Sequence, residues 1–183
     1  SELGGADERS ALTACVNAPR KNASQIDALG LSRNSWTGKG TAQILRALES
    51  EHLCLRDLDL THSQVLSSDG PAIASAVAAS LARMPPLAQQ SVRRRVLAQN
   101  CLRGRYEPFG EREGEHNPVG LRSLLWALDR FAPRLVVLDL SGNALGNDGC
   151  MLLAAAARPG ASSSGSSVLS LLEELNLARN ALG

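Results

Sequence analysis

The stretch Trp36-Thr37-Gly38-Lys39-Gly40-Thr41 has the look of a phosphate-cradling loop. Such a loop places Ser or Thr directly after its Lys, so that ammonium and hydroxyl reach the same bound nucleotide and its metal. Gly40 intervenes, and phosphate binding is not expected. His52, His62 and His116 show no HExxH or other metal spacing. Glu111, Glu113, Glu115 and His116 crowd together, but alternating acids in a Gly-bearing stretch solvate a loop without offering ligand geometry. No nucleophile, base and orienting acid can be assembled from the remaining residues. The chain is therefore read as a non-enzyme with no metal and no cofactor. Arg93-Arg94-Arg95 is a basic run, yet no aromatics interleave it to stack on bases.

Bulk composition agrees. The 183 residues suit one domain, and 19 Lys and Arg against 18 Asp and Glu leave a net charge of +1, too little to recruit nucleic acid or an anionic membrane. No apolar run approaches the roughly 18 residues of a membrane span. Cys15, Cys54, Cys101 and Cys150 lie far apart with no CxxC pair, which suits four reduced thiols in a cytoplasmic protein, with a cytoskeletal or ciliary assembly as one setting. The sequon Asn22-Ala23-Ser24 is too loose a pattern to argue for secretion.

The chain holds 31 Leu and 26 Ala but only five aromatics, a composition that suits a repeated aliphatic core. Self-similarity is plain. Leu135, Leu138, Leu140, Asn143, Leu145, Gly149 and Leu153 give L-xx-L-x-L-xx-N-x-L-xxx-G-xxx-L. Ile26, Leu29, Leu31, Asn34, Trp36, Gly40, Ile44 and Leu48 repeat it without a gap, as do Leu172, Leu175, Leu177, Asn180 and Leu182. A second copy keeps Leu55, Leu58 and Leu60 but puts Ser63 in place of the Asn, which predicts a locally weaker unit, with Gly70 one residue late. A third keeps Val92, Leu97, Asn100 and Leu102, and its helix returns at Gly120, Leu124 and Leu128. There Arg95 falls on a position that should be buried; either it snorkels, or the strand is distorted, or the register differs.

Alternating leucines followed by apolar residues three and four apart predict a strand and then a helix in each unit. Repeated strand-helix units imply a parallel sheet whose neighbours share one core. The Asn carries donors and an acceptor for the turn backbone between units, and absence of a side chain at Gly40 would let its helix approach the sheet.

This pattern resembles the leucine-rich repeat in its longer, ribonuclease-inhibitor-like subclass, whose units run to about 28 residues. The resemblance covers nearly the whole chain. It implies an α/β fold: a curved, right-handed solenoid with parallel strands on the concave face and helices on the convex face. Units start near 26, 55, 92, 135 and 172, after a partial unit over 1–25. Residues 1–183 then form a single solenoid fragment of a longer array, for neither end shows a polar cap.

Three stretches depart from the repeat. The insertion 103–119 is rich in Gly, Pro and charge and predicts a loop, in which Tyr106 and Phe109 could anchor a partner or fold back over Leu102. The Ser- and Gly-rich stretch 158–168 reads as flexible filler, and Pro85 and Pro86 in ARMPPLAQQ end the second helix.

What remains is a surface. The resemblance makes the strand positions between the leucines a recognition face, and the candidates on it are Arg33, Arg56, Asp57, Asp59, His62, Arg93, Arg94, Asp139, Glu174 and Arg179. Acids flank a basic centre. The expected function is a protein-interaction scaffold or structural subunit with one or more proteins as partners. The resemblance also admits a regulator of a small GTPase, since such repeats form the GTPase-activating protein of the nuclear transport GTPase, or the ligand-sensing region of an innate immune receptor.

Overall fold

Each copy of the leucine spacing folds into a three-residue strand centred on its second position. The strands are β1 (Ala28–Gly30), β2 (Asp57–Asp59), β3 (Arg94–Val96), β4 (Val137–Asp139) and β5 (Glu174–Asn176). The protein is described by a computed structural model over residues 27–34, 38–47, 55–62, 70–102, 118–158 and 167–181. The five strands form one parallel sheet in chain order, with Leu29, Leu58, Arg95, Leu138 and Leu175 aligned across it. The register is therefore the one the spacing predicts, with Arg95 in a leucine's place.

Helices alternate with the strands: α1 (Gly38–Ala47), α2 (Gly70–Arg83), α3 (Pro86–Ser91), α4 (Val119–Phe131) and α5 (Gly146–Ala156). Apolar residues at three- and four-residue spacing give each long helix a buried stripe, such as Ile73, Ala74, Val77 and Leu81 in α2 or Leu121, Leu124, Leu125 and Leu128 in α4. That stripe meets Leu58, Leu138, Leu60 and Leu140 in one continuous core. α2 packs between α1 and α4, as strand order requires.

Two repeat glycines make this closeness possible. A Cβ on Gly70 would collide with the backbone of Asn100 and Cys101, and one on Gly120 would stand 2.5 Å from Pro71 Cα. The glycines thus admit the following unit's turn and the preceding helix.

The departures from the repeat also differ from their expected form. Pro85 and Pro86 do end α2, but Pro86 then starts the short helix α3, where its missing N–H costs nothing. Gln89 of α3 donates through Nε2 to the carbonyls of Leu81 (3.1 Å) and Met84 (3.0 Å), tying it to the end of α2. The end of the expected filler is ordered as well. Ser167 is buried, donates to Ala156 O (2.6 Å) and accepts from Leu169 N (3.2 Å) at the start of a 3-10 turn over Val168–Leu171. Ser63, residues 1–25 and 103–117 lie outside the described residues.

β5 departs from its equivalents. Leu175 is 40% exposed where Leu58 and Leu138 are buried, because β5 has β4 on one side and no described strand on the other.

Candidate functional site

Alternation along the strands separates two faces. The central residue of β2 and β4 points into the core, while Asp57, Asp59, Val137 and Asp139 are half-buried on the other face. Arg94 and Glu174 stand exposed on that same face. In register, Asp57 lies beside Arg94, then Val137 and Glu174; Asp59 lies beside Val96, then Asp139 and Asn176. The structure thus brings five of the predicted residues, Asp57, Asp59, Arg94, Asp139 and Glu174, onto one sheet face.

The other candidates sit around it. Arg33, His62 and Arg179 occupy the turns beyond the strands with φ of 60°, 51° and 57°, at the position where Gly142 stands in the fourth copy. All three are exposed, forming a row at the C-terminal edge of the sheet. Arg56 and Arg93 sit at the opposite edge. Arg56 Nε lies 3.9 Å from Asp57 Oδ1, a long ion pair between an exposed guanidinium and a half-buried carboxylate. Arg93 turns outward and donates through Nη1 to the carbonyls of Gln90 (2.7 Å) and Val92 (3.0 Å). Tyr106 and Phe109 lie outside the described residues.

Asp59 and Asp139 have a structural task that their spacing did not reveal. Oδ1 of Asp59 accepts from Thr61 N at 2.8 Å, Oδ1 of Asp139 from Ser141 N at 2.8 Å, and Oδ1 of Asn176 from Ala178 N at 3.1 Å. Each caps the turn that ends its strand, as Asx side chains do. Asp139 Oδ2 also accepts from Asn176 Nδ2 at 3.1 Å.

Arg95 resolves the alternatives posed by its sequence position. It does not snorkel: it is 1% exposed and in register with Leu58 and Leu138. Its guanidinium reaches the N-terminal edge of the sheet and donates to the carbonyls of Arg94 (2.8 Å), Arg56 (3.0 Å) and Leu55 (3.2 Å). Burial pulls its pKa down to about 10, partly opposed by the Asp57 carboxylate, so it stays charged at neutral pH.

The helical side carries exposed apolar groups that the leucine spacing did not single out. Trp126 of α4 is 59% exposed and packs edge-on against Phe131, with ring centroids 5.5 Å apart. Beside it a cavity of about 260 Å³ opens between α4 and α5, lined by Leu125, Asp129, Leu152 and Val168 among others. The signal was available in the helical period, which sets Trp126 two residues from both Leu124 and Leu128 and off their buried stripe. Among the described residues, no group of three His, Cys, Asp or Glu is placed to hold a metal, and no helix is long and apolar enough to cross a membrane.

Residues 133–154, which span β4 and most of α5, match the family model described as Leucine Rich repeat. This segment is similar to a leucine-rich repeat. The parallel five-stranded sheet with its alternating helices is consistent with further leucine-rich repeats on either side. Leucine-rich repeat domains commonly mediate protein-protein interaction and are generally non-catalytic. No curated protein matches the sequence.

Proposed function

We propose that this chain is a non-catalytic protein-interaction scaffold, or a structural subunit of a larger assembly, in the ribonuclease-inhibitor-like subclass of leucine-rich repeats. In this reading the sheet is the concave face of a curved, right-handed solenoid, and it is the surface that meets the partner. The observation that carries the reading is the row of charged side chains across four adjacent strands, Asp57, Asp59, Arg94, Asp139 and Glu174, displayed on the face opposite the core. Four carboxylates against one guanidinium suit a partner that brings basic side chains. Arg33, His62 and Arg179 border the face at its turns, and Arg56 and Arg93 at the other edge.

The reading is tested by purifying the protein from its native cells at low and high salt and identifying what stays bound by mass spectrometry. A stoichiometric protein that survives high salt is expected. A small GTPase retained only in its triphosphate form would replace the scaffold reading with a regulatory one.

A further inference from the structure

At the N-terminal edge of the sheet, one carbonyl per unit accepts two backbone N–H groups from the next. Asp27 O takes Arg56 N and Asp57 N, Arg93 O takes Val136 N and Val137 N, and Val136 O takes Glu173 N and Glu174 N, all at 2.9 to 3.0 Å. Arg56 O takes Arg93 N (3.0 Å) and Arg94 N (3.2 Å) in the same way. Only there, among the described residues, does a side chain add to the arrangement: Arg95 Nη1 donates to Arg56 O and Arg94 O, while Nη2 donates to Leu55 O. The equivalent positions in neighbouring strands hold Leu58 and Leu138, which offer no donor.

A leucine would fill this site at no electrostatic cost, whereas the buried guanidinium pays desolvation and still leaves Nε without a hydrogen-bond partner. A residue that costs stability and holds three carbonyls fits a role in fixing local geometry. We infer that Arg95 is a positioning residue that clamps the edge between β2 and β3 and so preorganises Arg56, Asp57 and Arg94, the charged centre of the sheet face. The planar fork of the guanidinium makes the clamp possible, since it presents several donors in one fixed geometry. The inference rests on the proposal that this face binds protein: a prearranged charge pattern loses less conformational freedom when a partner docks.

Amide hydrogen exchange on the full chain tests the clamp without any partner, so its failure is distinct from failure of the binding proposal. In Arg95→Met, the amides of Arg93 and Arg94 should exchange about tenfold faster, the scale of a lost hydrogen bond or two. Those of Glu173 and Glu174, in the same two-donor arrangement without a clamp, should not change, and the thermal midpoint should hold or rise. Arg95→Lys should also lose the local protection, because one ammonium cannot span three carbonyls in that geometry. Unchanged exchange at Arg93 and Arg94 in both variants would overturn the inference. So would a uniform acceleration of all amides with a lowered midpoint, which would make Arg95 a packing residue only.

Discussion

Asn143 donates its backbone N–H to the side-chain carbonyl of Asn180 at 2.8 Å, and Asn100 donates in the same way to Asn143, also at 2.8 Å. The amide of Asn143 then reaches back to Leu97 O (2.9 Å) and Leu140 O (2.8 Å), so one buried residue joins three units. Asn143→Ala strands Asn100 N and Leu97 O inside a region from which water is excluded, while Asn143 N keeps Asn180 Oδ1 and Leu140 O keeps Asn180 Nδ2. The expected loss is about 2–4 kcal/mol, as for several buried groups left unpaired together. Denaturant unfolding checks it, and a loss below about 1 kcal/mol would contradict the role given to the ladder.

Gly120→Ala adds only a methyl group, yet that methyl would stand 2.5 Å from Pro71 Cα and closer still to Pro71 O. Backbone cannot swing aside as a long side chain can, so α2 and α4 must separate. A destabilisation of about 1–3 kcal/mol is expected by the measure of overpacked cores. Gly30→Ala is the control, because nothing lies within 4 Å of its Cβ position and no such loss should appear.

Asp59 and Asp139 combine a capping bond with a surface charge, and the two can be separated. Asn176 holds the equivalent place and makes the same bond through Oδ1. Asp59→Asn should therefore leave the unfolding midpoint near the parent value, while Asp139→Asn gives up only the bond from Asn176 Nδ2. Asp59→Ala, which removes the acceptor, should cost about 1 kcal/mol, as for a lost cap. Equal midpoints for Asn and Ala would show that the bond to Thr61 N carries no weight.

Arg95 gives the pH prediction. Its folded pKa lies near 10, below that of an exposed guanidinium, so the folded state holds this proton less tightly than the unfolded state does. Stability from this group is then lowest below pH 10 and recovers as pH rises above 10. A shift of this size corresponds to about 3 kcal/mol. Arg95→Met lacks that cost, so its advantage over the parent in denaturant unfolding should be widest near neutral pH and narrow above pH 10. An advantage that widened with pH would reverse the sign and refute this account.

The sheet was legible because Leu29, Leu58, Leu138 and Leu175 sit at the second position of a spacing that period-two geometry turns inward. Asn143 was legible for a similar reason, since an amide supplies two donors and an acceptor at once. Arg95 could be placed but not understood, because its partners are carbonyls of Leu55 and Arg56 some forty residues away. Likewise, nothing local marked Asp59 and Asp139 as caps: their bonds depend on how each chain leaves its strand. The helix α3 was hidden by Pro86, which signals an end and a beginning equally well. Of the candidate face, the row of charges was readable from alternation, while the hydrogen bond from Arg93 to Gln90 O was not.

The central claim is that the sheet face holds the partner. Its most direct test is to purify, from native cells, the parent protein, a variant carrying Asp59→Asn, Arg94→Gln and Asp139→Asn, and an Asp148→Asn control placed on α5, away from the sheet. The account predicts that the triple variant stays folded and loses the stoichiometric partner that the parent and the control retain. Full retention by the triple variant would contradict it.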